Sequence, residues 1–97
     1  MNVMKLLYKG FVRRISGSGM AYANFDKEVP LVYEKTTLAV PDTYIMINSI
    51  GESDINFDVF FFDQPTNYVL QVGESVLYKK EGNAFAFEMA FSLVDNL

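Results

Sequence analysis

Three groupings of residues in this chain have types and spacings that chemistry could use. Asp54-Ile55-Asn56-Phe57-Asp58 sets oxygen-bearing side chains at alternate positions, as the opening of a calcium-binding loop does. Such a loop also needs Gly at its sixth position and a bidentate Glu at its twelfth, and those positions hold Val59 and Pro65. Ser18 stands between Gly17 and Gly19, but a nucleophile elbow needs one further residue on each side of the Ser. A phosphate-binding turn needs a later glycine opening a helix, which is also missing. The twelve Asp and Glu residues supply some pair about 5–10 Å apart, the separation glycoside hydrolysis uses, whatever the protein does. None of the three groupings is specific. There is no His and no Cys, which removes the commonest general base, thiolate nucleophiles, ordinary zinc sites and any disulfide. These residues predict a protein that is not an enzyme, with no catalytic residue, no cofactor and no metal site.

The positive charges carry more information. Lys5, Lys9, Arg13 and Arg14 fall in the first fourteen residues, and no acid precedes Asp26. From Asp26 onward twelve acids stand against four lysines, within a net charge of −4. A basic amphipathic stretch can meet a membrane surface, a nucleic acid or an acidic protein. The acidic remainder would repel a polyanion and four charges give a modest electrostatic term, so nucleic acid is not the expected partner. No apolar run approaches the ~20 residues of a membrane-spanning helix. The expected partner is protein, either an acidic neighbouring subunit or another copy, contacted through Lys5, Lys9, Arg13 and Arg14. The plainer alternative is an edge element packed on the body with its charges solvated. Arg13-Arg14-Ile15-Ser16 also matches a basic kinase site, a string that short basic stretches produce by chance.

Holding these residues in place falls to a chain dominated by alternation. Over Asp54 to Asp63, Ile55, Phe57, Val59 and Phe61 line one face of an extended strand. The other face carries Asn56 and Asp58, then turns apolar at Phe60 and Phe62, which predicts a central strand that is core on both sides over its second half. Further strands are expected over Met20 to Phe25, Val29 to Tyr33, Thr37 to Val40, Tyr44 to Ser49, Tyr68 to Val72 and Val76 to Tyr78. In the closing run Phe85, Phe87, Met89, Phe91 and Leu93 share one face. Turns are expected at Pro41-Asp42, Gly51 to Ser53, Gly73-Glu74 and Lys80 to Asn83, with Asp63 to Asn67 the clearest loop. Tyr22, Tyr33, Tyr44 and Tyr68 are the aromatics expected to face outward.

The opening segment has a different period. Val3, Met4, Leu7, Tyr8, Phe11, Val12 and Ile15 recur at helical spacing, with Asn2 as an N-cap, although Gly10 costs about 1 kcal/mol inside a helix. Two strands, Val3 to Leu7 and Phe11 to Ser16, turning at Lys9-Gly10, fit as well. Ser16-Gly17-Ser18-Gly19 reads as a hinge. With 97 residues, 51% of them apolar and fifteen aromatic, the chain has material for one core. The expected fold is all-β: a single β-sandwich, jelly-roll or immunoglobulin-like, of about seven to nine strands. Residues 1–19 form a basic N-terminal arm or edge element with its Gly/Ser hinge, and residues 20–97 the sandwich domain.

Thr36-Thr-Leu-Ala-Val-Pro-Asp-Thr-Tyr44, then Asn56-Phe-Asp-Val-Phe60, then Tyr68-Val-Leu-Gln-Val-Gly-Glu-Ser-Val-Leu-Tyr78 follow one another in an order that resembles small β-sandwich proteins of tailed-phage virions. In capsid auxiliary, decoration and head-fibre proteins of that kind, a hydrophobic-x-x-Gly-Glu-Ser run joins two strands. The resemblance covers Thr36 to Leu93 and is one of style. Extracellular immunoglobulin-like and carbohydrate-binding modules share it, and the absence of Trp departs from both. It implies a non-enzymatic structural or interaction protein, an auxiliary or decoration subunit of a viral particle or other large assembly, located in the virion. The opening residues lack the apolar run of a signal peptide, so synthesis in the cytoplasm is expected. Two alternatives come from other classes: a carbohydrate-binding or adhesion module, and a small acidic inhibitor of a host enzyme. Because the acids lack a closed coordination pattern, chelator treatment is expected to leave the melting temperature unchanged. A drop of several degrees that calcium restores, seen by calorimetry, would overturn that expectation.

Overall fold

Alternation in the sequence becomes eight antiparallel strands in a computed structural model, which describes residues 4–15 and 22–95. They are β1 (Met4–Arg14), β2 (Tyr22–Val29), β3 (Thr36–Thr37), β4 (Thr43–Ile50), β5 (Asp54–Phe61), β6 (Gln64–Gln71), β7 (Ser75–Glu81) and β8 (Phe85–Asp95). Sheet A has the order β2-β1-β8-β7 and sheet B the order β3-β4-β5-β6. Their inner faces meet in one core, where Phe57 of β5 and Phe91 of β8 are both wholly buried with ring centroids 5.4 Å apart. This is the all-β sandwich the alternation predicts. Jelly-roll and immunoglobulin-like sandwiches use Greek-key connections. Here chain neighbours are sheet neighbours within each sheet, and β1 and β8 close sheet A as its two inner strands.

The opening segment is neither a helix nor a hairpin. Met4–Arg14 is one strand through Gly10, paired with β2 along one edge and β8 along the other. Its three- and four-residue spacing arises because both faces carry apolar groups: Leu6, Tyr8 and Val12 inward, Leu7 and Phe11 outward. The expected arm or edge element therefore sits inside the sheet, and the Ser16 to Gly19 hinge lies outside the described residues. Gly10 is a packing requirement. A Cβ there would run into the Glu88 carbonyl and lie 2.7 Å from the Met89 Cα, so β1 could not approach β8.

Four further differences have local causes. β2 runs unbroken from Tyr22 to Val29, so Val29 ends one strand where the sequence suggests that it starts another, and residues 30–35 cross between the sheets without strand structure. The expected strand Thr37 to Val40 shrinks to Thr36–Thr37, although Leu38 and Val40 stay buried. The expected loop Asp63 to Asn67 is mostly β6: Phe62 and Asp63 make a two-residue turn, and Pro65 is tolerated because β6 is an edge strand. In β4 the register shifts between Ile47 and Ser49, a bulge at Asn48 that returns Ile50 to the side facing Ile55. β5 is central as expected, but its second half is not core on both sides. Phe60 lies half-buried against Tyr44, and Phe62 has left the strand and is 60% exposed.

Two tyrosines tie the layers together. Tyr8 of sheet A accepts a hydrogen bond at its hydroxyl from the Ala39 N–H (3.1 Å), across to the β3–β4 connection of sheet B. Tyr78 is buried with no hydrogen bond at its hydroxyl. Tyr68, expected outward, points inward between Phe57 and Tyr78. Burial pushes all three phenols above their ordinary 10.0, opposed at Tyr8 by the Ala39 N–H.

Gly10→Ala separates strand from helix by its sign. In a helix it would stabilise by about 1 kcal/mol, whereas against β8 it is expected to destabilise by about 1–3 kcal/mol in denaturant titrations. Because the buried phenols titrate above their unfolded value, the neutral form is favoured in the folded state. Their contribution is complete below pH 10 and lost as pH rises through the folded pKa values. The melting temperature should therefore fall in the alkaline range. Tyr78→Phe, which removes an unsatisfied buried hydroxyl worth about 1–3 kcal/mol, should melt no lower than wild type and show a shallower alkaline fall.

Candidate functional site

With Leu6 and Tyr8 in the core, the outward positions of β1 are Lys5, Leu7, Lys9, Phe11 and Arg13. Three of the four candidate partner-binding residues, Lys5, Lys9 and Arg13, thus form one column on the outer face of sheet A. Arg14 takes the opposite parity and is exposed at the strand's end. The strand pairing brings the first three together; it does not bring Arg14 to the same face.

The register decides which of these charges have an acid beside them. Lys9 stands opposite Asp26 of β2, Lys79 of β7 stands opposite Glu88 of β8, and Lys5 Nζ lies 3.8 Å from Glu28 Oε1. Exposed pairs of this kind contribute about 0–1 kcal/mol. Arg13 stands between Tyr22 and Ala86, so neither cross-strand neighbour is an acid. Arg14, opposite Phe85, likewise has no acid opposite it, so Arg13 and Arg14 are the candidates without a cross-strand acid.

Between these columns β8 presents Ala86, Glu88, Ala90 and Ser92 outward. The small side chains leave a shallow groove of about 530 Å³ between Phe11 on β1 and Leu77 on β7, with Lys9, Asp26 and Glu88 on its rim. Leu77 is 52% exposed. Nothing in the linear pattern marks Leu77 as outward, because Val76, Leu77 and Tyr78 are consecutive apolar residues and only pairing with Ala90 assigns its face. Charge is also divided between the layers. Seven of the eight basic residues lie in the strands of sheet A, while residues 30–74 hold seven of the twelve acids and Lys35 as their one cation.

The outer face of sheet B is built differently. Asn67 Nδ2 donates to Asn56 Oδ1 (2.8 Å) and to Asp58 Oδ1 (2.7 Å), and Asn48 Nδ2 donates to Asn56 Oδ1 (3.1 Å). The calcium-like string is therefore a flat strand whose oxygens meet cross-strand amides. Among the described residues no three His, Cys, Asp or Glu side chains gather as a metal site. Beside this ladder Tyr44 and Phe60 stack face to face, 4.6 Å apart at 9°, with Lys35 Nζ 4.2 Å over the Tyr44 ring. The Tyr44 hydroxyl donates to Asp63 Oδ1 (3.2 Å); desolvation, then that bond and the Asp63 charge, raise its pKa. Tyr22 and Tyr33 are exposed as expected. Ser18 lies outside the described residues. Among the described residues no helix is long and apolar enough to cross a membrane. Comparison with protein-family models, with curated proteins and with solved structures finds no match for this chain.

Proposed function

We propose that this chain is a non-enzymatic structural or interaction protein, a subunit that docks through the outer face of sheet A onto an acidic protein neighbour within a larger assembly. The observation that carries this reading is the groove between Phe11 and Leu77, an exposed apolar strip on a sheet face where Lys5, Lys9, Arg13 and Lys79 stand among Asp26, Glu28, Glu81 and Glu88. An apolar centre with a charged rim is the anatomy of a protein contact: burial supplies affinity, and the rim sets orientation and encounter rate. The acid-rich surface of residues 30–74 on a second copy is an acidic neighbour of the required kind. The resemblance to auxiliary, decoration and head-fibre proteins of tailed phages favours a viral particle as the assembly.

A carbohydrate-binding reading has one observation in its favour, Tyr44 and Phe60 beside Asn56, Asp58 and Asn67 on one sheet face. It ranks second because Phe60 and the Lys35 ammonium take up the Tyr44 ring faces on which a sugar would stack.

Sedimentation velocity against salt tests the docking reading. The wild type should self-associate at low ionic strength and dissociate as salt screens contacts beyond about 8–10 Å. Leu77→Asp, and the joint change of Lys5, Lys9, Arg13 and Arg14 to Gln, should be monomeric yet keep native circular dichroism and melt within a few degrees of wild type. A wild type that stays monomeric at every salt concentration would remove the second copy as the neighbour. Variants that associate unchanged would remove the face.

A further inference from the structure

Outside Gly, positive φ occurs among the described residues at Asp42 (57°), Phe62 (49°) and Asp63 (62°), and all three lie at one end of the sandwich. Asp42 ends the Pro41-Asp42 turn. Phe62 and Asp63 are the two central residues of the β5–β6 hairpin, and the Phe62 N–H donates to the Asp42 carbonyl (3.1 Å), locking the two turns together. Two-residue hairpin turns with both central residues at positive φ favour Asn or Asp followed by Gly, because a bulky side chain is strained there. A Phe at the first position is a poor choice for the turn, and at 60% exposure its burial offsets little of the strain. Asn would hold the same backbone more easily. Backbone strain of this kind gathers at binding sites, where the side chain serves something other than the fold.

Phe62 walls a cleft of about 460 Å³ lined mainly by apolar side chains. Its ring meets Phe61 edge-on at 4.7 Å and 71°, and Phe61 meets Phe87 in the same way at 5.5 Å and 75°. Pro41, Phe85 and the Gly82-Asn83-Ala84 segment complete the lining. The one charged residue lining the cleft is Asp42. Lys35, the sole cation of residues 30–74, lies over the Tyr44 ring, in a neighbouring depression that Asp42 and Phe62 also line.

From this geometry we infer that the cleft walled by Phe61, Phe62, Phe85 and Phe87 binds an organic cation of the alkylammonium class, with its hydrocarbon against the rings and its charge toward Asp42. Aromatic side chains pack the apolar part and their faces attract a nearby cation, and Asp42, the one charged residue in the lining, favours positive charge. The same chemistry is offered by a free amine and by a lysine side chain of a peptide. The site is independent of the sheet A groove and does not rest on the docking reading.

Amide chemical shifts in the ¹⁵N–¹H spectrum of the full chain provide the test. Titration with benzyltrimethylammonium should move the signals of Asp42, Phe62, Gly82 and Phe85, while equal concentrations of benzyl alcohol and phenylacetate should not. A capped tripeptide with a central Lys, run in parallel with n-butylammonium, identifies the source: equal shifts point to a free amine, and shifts with the peptide alone point to a protein partner. Phe62→Asn should melt no lower than wild type and lose the shifts. Asp42→Asn, which suits the same backbone, should stay folded and bind the cation about fivefold more weakly. A Phe62→Asn protein that melts well below wild type would make Phe62 structural and overturn the inference. So would shifts that are as large with benzyl alcohol, or absent with every probe.

Discussion

The contact between Phe57 and Phe91 is the constraint on which the rest of this structure depends. Each ring sits on an inner strand of its own sheet, wholly buried, and the two meet across the interface. Because side chains alternate strictly along a strand, fixing the inward side at these two positions fixes it along β5 and β8. Hydrogen-bond register then passes the assignment to β4 and β6 on one side, and to β1 and β7 on the other. Where the sequence falls out of step, a local device restores it, as the bulge at Asn48 does for Ile50. Gly10 belongs to the same requirement, since β1 can follow β8 closely only where no Cβ intervenes.

What the core takes inward determines what the surface offers. Leu6 and Tyr8 inward force Lys5, Lys9 and Arg13 outward in a column, and Met89 and Phe91 inward force Ala90 and Ser92 outward. The groove on sheet A is thus a by-product of packing at its floor, but Leu77 on its rim is not: a polar residue would serve the fold equally well at that position. The same holds at the end of the sandwich, where Phe62 occupies a backbone conformation that favours other residues. Both places combine apolar exposure with a local choice the fold does not need, and both are where surface contact has a physical basis.

Alternation was legible in the sequence wherever one face was uniformly apolar. The strands around Phe57 and Phe91, the turn at Gly73-Glu74 and the all-β sandwich class all follow from it, as does the exclusion of imidazole and thiolate chemistry by composition. The charges of Lys5, Lys9, Arg13 and Arg14 were legible as a group. Their partners were not, because Glu28, Asp26 and Ala86 come beside them only through the register in which β1 pairs with β2 and with the distant β8.

Tertiary structure alone decided the cases where a local pattern is ambiguous. A strand with apolar groups on both faces has the same spacing as a helix, so β1 became recognisable only between β2 and β8. Phe62 completes an apolar pattern in the sequence, yet the turn closes one residue earlier and turns its ring out into the cleft. Period and composition are local properties, and they set what each segment can be. Which face is buried, which charge stands beside which, and where an aromatic is left exposed are set by non-local pairing, and that information exists only once the two sheets have met.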